Sequence, residues 1–78
     1  MKTLSRLAVD EDGFVFDPAT GKRFQASPVA LVILRGLMEE QPDARIVEQL
    51  ALDYDVTIER ALRDVSDFRG QLKASGIL

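Results

Sequence analysis

The stretch that decides the fold is the last one, residues 55–78, which reads DVTIERALRDVSDFRGQLKASGIL. Thr57 is a good N-cap, because its hydroxyl can accept a hydrogen bond from an unpaired amide of the first helical turn. Gly76 can adopt the left-handed conformation that ends a helix. A helix with an apolar face must bury that face, so residues 1–56 are expected to supply the partner surface. The apolar residues recur at steps of three and four and predict that face: Ile58, Ala61, Leu62, Val65, Phe68 and Leu72.

The N-terminal third of the chain predicts a meander of three short strands. Residues 4–9 alternate weakly between apolar and polar, and residues 14–17 alternate clearly. Residues 22–26, KRFQA, form the returning strand. Turn sequences separate the strands, because the glycines at positions 13 and 21 accept the positive φ angles that tight reversals need.

The third strand is expected to lie at an edge of this sheet. Its alternation places Phe24 inward, with Arg23 and Gln25 outward. An edge strand offers unpaired N–H and C=O groups to any extended peptide. Basic residues also blunt edges against pairing, so the pattern alone favours a short edge that Lys22 and Arg23 protect over an edge that binds a peptide.

Three helices are expected after the strands. Ser27 and Pro28 form a cap followed by a first-turn proline, and this helix runs to about Glu40. Gly36 can allow the close approach of a neighbouring helix, and Asp43 is expected to cap a second helix. Strands followed by helices indicate an α+β domain with the helices on one face of the sheet. The two last helices, joined by a short turn, give it a winged helix-turn-helix-like outline.

Composition excludes several kinds of function. The chain has 78 residues, no cysteine and no histidine, which argues for a single domain over residues 1–78 without a metal, a cofactor or a catalytic site. The acidic residues before Gly13 lack the downstream ligands of a calcium loop, so a plain turn is expected there. The apolar runs are too short to span a bilayer, and a cytoplasmic location is expected.

The alternatives for this outline are a generic protein-interaction domain and a small winged-helix regulator that binds DNA. The net charge of −3 argues against DNA binding, because phosphates favour a basic surface. The last helix carries basic and acidic residues side by side, whereas a recognition helix gathers its basic residues on one face. Those residues are Arg60, Arg63, Arg69 and Lys73, with Glu59, Asp64 and Asp67 among them.

The sequence resembles a known family in two places. Residues 13–24, GFVFDPATGKRF, followed by a helix, are similar to the N-terminal meander of the PqqD-like family. After residues 54–56, a second group of positions is similar to the closing signature of that family. This group comprises Asp64, Val65, Phe68, Leu72, Gly76 and Leu78.

This resemblance implies a small precursor-peptide recognition domain. The founding member of the family acts in pyrroloquinoline quinone biosynthesis, where it brings a ribosomally made peptide to a radical-SAM enzyme. Relatives serve lasso peptides and other modified peptides. The implied function is therefore a non-catalytic, monomeric adaptor. It binds a leader peptide by strand addition and presents it to a modifying enzyme such as a radical-SAM protein, a cyclase or a protease.

The resemblance also implies which residues hold the peptide. In the family, the leader peptide adds to the third strand and lies in the groove toward the third helix. The corresponding edge is Arg23, Phe24, Gln25 and Ala26. The facing wall is expected in the Thr57–Phe68 half of the last helix, with Ala61, Leu62, Asp64, Val65 and Phe68 as candidates. Phe24, Val65 and Phe68 suit the core better than a pocket, and the sequence leaves the choice between core and pocket open.

Overall fold

The predicted order of three strands and three helices is confirmed by the structure, a computed structural model that describes residues 4–78. The sheet is antiparallel in the order β1-β2-β3. Among the described residues, no helix has the length and apolar character needed to cross a bilayer. The elements are a 3-10 turn at Leu4–Arg6, β1 Ala8–Val9, β2 Phe14–Phe16, β3 Arg23–Gln25, α1 Pro28–Met38, α2 Asp43–Tyr54 and α3 Ile58–Ala74.

The first strand is shorter than the sequence predicted. Only Ala8–Val9 pairs with β2, and Leu4–Arg6 forms a 3-10 turn in which the Leu7 amide donates to the Leu4 carbonyl at 3.1 Å. Leu4 and Leu7 are both buried. Their spacing of three residues suits a helical turn and not the two-residue period of a strand, which explains the difference.

The 3-10 turn is tied to the β2–β3 loop by a buried carboxylate. Arg6 donates from Nε to Asp17 Oδ1 at 2.7 Å and from Nη2 to Asp17 Oδ2 at 3.0 Å. Asp17 also accepts from the Ala19 amide at 3.0 Å and from the Thr20 hydroxyl at 2.9 Å, and its side chain is only 1% exposed. The Arg6 hydrogen bonds are the main reason that the pKa of Asp17 lies well below its usual range.

The predicted turn before β2 is present, and it fixes the end of β3. Asp10 Oδ1 accepts from the amides of Asp12 and Phe14, at 2.9 and 3.0 Å. Gly13 has a φ of +90°, and a Cβ at that position would lie 2.5 Å from the Ala26 carbonyl oxygen. The chain following β3 therefore approaches this turn so closely that only glycine fits.

Helices α1 and α2 pack at a glycine, and α2 begins differently from the prediction. Ser27 caps α1 by accepting from the Ala30 amide at 3.1 Å. A Cβ on Gly36 would lie 2.7 Å from Ile46 Cγ1. The prediction that Asp43 caps α2 is wrong, because the N-cap is Pro42 and no side chain makes a capping hydrogen bond there.

Helix α3 has the predicted cap and stop. Thr57 accepts from the Arg60 amide at 3.1 Å. Gly76 has a φ of +78°, and the Ile77 amide then donates to the Leu72 carbonyl at 2.9 Å. This pattern of bonds is a Schellman motif. It returns the buried Ile77 side chain to the core.

The predicted apolar face of α3 is only partly buried. Ile58 and Leu62 are 49% and 52% exposed. The centre of the buried stripe lies to one side of them, because α3 packs against both α1 and α2. The core joins the inner face of the sheet to all three helices: Leu4, Leu7, Val15, Ala26, Ile33, Leu34, Leu37, Ile46, Val47, Leu50, Ala61, Val65, Phe68, Leu72 and Ile77.

Two glycine substitutions test the α1–α2 contact. Gly70→Ala lies in α3 with no neighbouring atom within 4 Å, so better helix propensity should raise the free energy of unfolding by about 0.5–1 kcal/mol. Gly36→Ala gains the same propensity but overpacks against Ile46, which costs about 1–3 kcal/mol. Urea denaturation should rank Gly70→Ala above wild type and Gly36→Ala level with wild type or below it. Equal stabilisation by both would contradict the close contact.

The Asp17 carboxylate should make stability depend on pH. Because folding lowers its pKa, its contribution is complete above the unfolded value of about 3.9 and is lost as the pH falls toward the folded value. Asp17→Asn should therefore unfold at lower urea than wild type at pH 7. The gap should narrow between about pH 5 and about pH 2. Glu48→Gln, at an exposed carboxyl, is the control, and parallel curves for Asp17→Asn and wild type would count against the buried ion pair.

Candidate peptide-binding edge and groove

Strand β3 is an edge strand of the sheet. The backbone just before it and just after it is hydrogen-bonded to residues that flank β2. At the first end, the Asp17 amide donates to the Lys22 carbonyl at 2.8 Å. At the other end, the Ala26 amide donates to the Gly13 carbonyl at 2.7 Å. These two bonds fix which residues of the strand face β2.

The middle of β3 therefore presents two residues outward. Bonded and unbonded residues alternate along an antiparallel pair. Phe24, opposite Val15, has the same parity as Lys22 and Ala26 and directs its amide and carbonyl to β2. Arg23 and Gln25 have the opposite parity, so their N–H and C=O groups point away from the sheet.

An open groove lies between β3 and the C-terminal half of α3. Its volume is about 300 Å³. Lys22 closes one end, because its Nζ donates to the Ser75 carbonyl at 2.9 Å. A cation suits this position, where the last carbonyls of a helix carry partial negative charge. The lining residues are Phe24, Gln25, Phe68, Gln71, Leu72 and Ser75.

A second depression continues this groove toward the start of α1, and the two share Phe68 and Gln71. Charged residues of α3 form its outer wall, with Arg60 Nε 3.4 Å from Asp64 Oδ1. We call the combined feature the β3–α3 groove. The lining of its second part is Ser27, Val29, Ala30, Ile33, Arg60, Asp64, Asp67, Phe68 and Gln71.

The opposite side of the sheet, which we call the outer face, carries exposed aromatic residues. Phe14 is 55% exposed and Phe16 36% exposed. The register pairs Phe14 with Gln25 and Phe16 with Arg23, so these four side chains share that face. The guanidinium carbon of Arg23 lies 5.3 Å from the centre of the Phe16 ring, which is a cation–π distance.

Several residues predicted from the sequence lie at this edge and groove. Phe24, Gln25, Asp64 and Phe68 line the β3–α3 groove, and Arg23 stands at the edge of the outer face. Phe68 also belongs to the core, so both interpretations of that residue hold. The part that these side chains play in binding stays a prediction.

The other predicted residues do not line the groove. Ala61 and Val65 are enclosed in the core, so a ligand in the groove has no access to their side chains. Leu62 is exposed, and helical spacing places it on the flank of α3 opposite Asp64. Ala26 is buried, and its amide is already bonded to Gly13. The α3 wall includes Arg60, Asp64 and Phe68 from the expected Thr57–Phe68 half, and it continues beyond that half to Ser75.

Sequence reasoning missed Gln71 and Ser75 of the groove, and it missed the contact that Lys22 makes there. Gln71 follows Phe68 by three positions and so shares a flank of α3, which helical spacing alone indicates. Ser75 and Lys22 meet across a separation of 53 residues, and no local pattern predicts such a contact. The exposure of Phe14 and Phe16 was also hidden, because alternation does not tell which face of a strand is buried.

The geometry of this edge and groove is suited to binding an extended chain. Within residues 4–78, no three potential metal ligands come together. The groove has an apolar floor and a mixed-charge rim, beside a strand with unused backbone bonds. Such an arrangement accepts an extended chain by strand addition.

These features define a small winged-helix-like domain with an uncovered third strand beside its last helix. The chain belongs to the coenzyme PQQ synthesis protein D (PqqD) family, whose model matches residues 12–78. It is also similar in structure to "Lasso peptide synthetase B1 complexed with the leader peptide", with a TM-score of 0.77 and 25% identity. That match covers 90% of this chain and 84% of the other. Among curated proteins, none matches the sequence.

The strand parity predicts an alternating pattern of amide exchange. The amides of Phe24 and Ala26 should be protected, because they bond to the β2 side, and those of Arg23 and Gln25 should exchange rapidly. Hydrogen exchange followed by NMR checks this. Protection of Arg23 and Gln25, with rapid exchange at Phe24, would mean that the strand register is shifted by one residue.

Proposed function

We propose that this protein is a non-catalytic adaptor that binds the leader of a ribosomally made precursor peptide by adding it as a strand to β3. The observation that carries the proposal is the open edge of β3. Arg23 and Gln25 each present an N–H and a C=O outward there, directly beside the β3–α3 groove. A peptide strand gains affinity from the backbone bonds and specificity from the groove.

The groove is suited to alternate side chains of the added strand. Side chains two residues apart lie on the same face of a strand. Every second peptide side chain therefore enters the groove toward Phe24, Phe68 and Leu72, where burial of apolar surface stabilises the complex. Gln71 offers an amide at the rim for one polar contact.

The similar lasso peptide synthetase protein gives independent support. It was solved with a leader peptide, and its fold corresponds to this chain over most of both lengths. The family assignment points in the same direction, because its description names synthesis of a coenzyme. A small domain that binds a peptide needs a second protein to act on that peptide.

The partner is accordingly a modifying enzyme, such as a radical-SAM protein, a cyclase or a protease. The adaptor holds the leader and leaves the rest of the precursor free for the enzyme. We further propose that it works as a monomer in the cytoplasm. Its own residues hold the peptide, and no cofactor enters this proposal.

DNA binding has less support as the function of this fold. Two of the basic residues on α3 are paired with carboxylates, Arg60 with Asp64 and Arg69 with Asp43, at 3.4 and 2.6 Å. Each such pair leaves less positive charge to meet phosphates. A DNA complex would also lose affinity steeply with added salt, which strand addition would not.

An NMR titration of the labelled protein with leader peptides encoded beside its gene tests the proposal. Shifts should be confined to residues 22–27 and to one flank of α3, from Arg60 to Ser75. A folded protein that shows no shifts with any of these peptides would contradict the proposal. Shifts centred on Leu62 instead would indicate a different surface.

Proline substitutions give a sharper test of strand addition. Gln25→Pro removes an outward amide without touching the β2–β3 bonds. The fold should survive, while peptide affinity falls about tenfold or more, since a backbone bond contributes about 1 kcal/mol and the ring also obstructs the edge. Calorimetry measures the affinity, and thermal denaturation checks the fold.

Two matched variants complete this test. Gln25→Ala keeps the amide and should bind within about twofold of wild type, because its backbone bond is retained. Phe24→Pro removes the amide that is directed to β2 and should destabilise the sheet itself. Peptide binding that survives Gln25→Pro undiminished would rule out addition to this edge.

A further inference from the structure

We infer that the outer face of the β3 edge selects a carboxylate on the bound strand, and that Arg23 is the residue that determines this specificity. The inference rests on the proposed strand addition and says which peptides are chosen. The acidic residue is expected beside Arg23 and disfavoured beside Gln25, two positions further along the strand.

The parity of β3 determines which peptide side chains meet Arg23. Arg23 and Gln25 have their side chains on the outer face with Phe14 and Phe16. Neighbouring strands of a sheet place their side chains on the same two faces, whichever way the added strand runs. Every second peptide residue therefore lies on the outer face and has Arg23 or Gln25 as its nearest neighbour in the sheet.

Arg23 is positioned for this contact in the free protein. Its guanidinium lies over the ring of Phe16, with 5.3 Å between the guanidinium carbon and the ring centre. A cation–π contact uses none of the guanidinium's N–H groups in a conventional hydrogen bond, and its planar fork matches the two oxygens of a carboxylate. Lys22, the neighbouring cation, is already bonded to the Ser75 carbonyl.

The Gln25 end of the edge has the opposite electrostatic character. Glu11 and Asp12 line one depression together with Gln25, and Asp10 lines the outer face beside it. A peptide carboxylate at this end would meet like charges, which disfavours it. The contrast between the two ends makes the preference depend on position and not only on the overall charge of the peptide.

The position of the acidic residue also indicates whether the peptide runs parallel or antiparallel to β3. In an antiparallel strand, the residue beside Gln25 precedes the residue beside Arg23 by two positions. The acid should then be the later residue of the pair. In a parallel strand it would be the earlier one.

Display of random twelve-residue peptides against the immobilised protein tests the inference. Wild type should enrich Asp or Glu at one position and deplete them two positions away. Arg23→Glu should replace that acid by Lys or Arg in its selected peptides. Arg23→Gln, which keeps a polar hydrogen-bonding side chain and loses the charge, should show no preference at that position. Amide spectra of both variants check that they are folded.

Affinities of one selected peptide give the pairwise effect. Changing its acid to the matching amide should weaken binding to wild type by about 1.5- to 5-fold, as expected for an exposed cross-strand charge pair. The same change should have no effect on binding to Arg23→Gln. A Phe16→Leu variant, which removes the stacking ring, should show a smaller discrimination than wild type.

The outcomes separate this inference from the proposed function. In one outcome, Gln25→Pro abolishes binding of the selected peptides, but these peptides show no charge preference, or Arg23→Glu selects the same charge as wild type. That outcome would overturn the role of Arg23 and leave strand addition standing. Selected peptides that are indifferent to Gln25→Pro, or failure to enrich any peptide above a surface without protein, would overturn both.

Discussion

The carboxylate of Asp17 accepts four hydrogen bonds, and the geometry of the whole N-terminal half depends on it. Two come from Arg6, one from the Ala19 amide and one from the Thr20 hydroxyl. A buried charge is tolerated only when it is paired and its oxygens are bonded. The loop that satisfies Asp17 is also the loop that turns the chain from β2 into β3, so the same interaction sets where the edge strand begins.

After this loop, β3 is held at both ends, and its edge away from β2 is left without a partner strand. Lys22 bonds to the last turn of α3, and Ala26 bonds to the turn at Gly13. A strand fixed in this way has little conformational entropy left to lose when a peptide adds to it, which favours binding. Its shortness and its two basic residues at the same time limit pairing between copies.

Much of this arrangement was predictable, because it rests on local chemistry. Ser27 and Thr57 cap their helices as N-cap residues do, and Gly76 ends α3 by a motif that needs only its own neighbourhood. The order of strands and helices follows from the change of hydrophobic period along the chain. The edge position of β3 follows from a meander with no later strand.

The partition between core and groove was not predictable, because it depends on how α3 is rotated against the sheet. Helical spacing put Ala61, Leu62 and Val65 on one face, yet Leu62 lies outside the buried stripe while the other two lie within it. The packing of β3 beside α3 brings residues from both halves of the helix to the groove, from Arg60 to Ser75. Lys22 and Ser75 make one contact between the two elements, and only the folded chain brings these residues together.

The backbone edge, the apolar floor and the charged side chains contribute differently to peptide binding, because β3 exposes few backbone groups. Within β3, Arg23 and Gln25 are the residues that direct their amides and carbonyls outward. These groups allow about four backbone hydrogen bonds to an added strand, each contributing about 1 kcal/mol net. Ordering an extended peptide of several residues costs a comparable amount. The backbone edge therefore aligns the peptide more than it determines affinity. The apolar floor at Phe24 and Phe68 must supply the remaining stabilisation, and the charged side chains around the edge then discriminate between peptides that both surfaces accept.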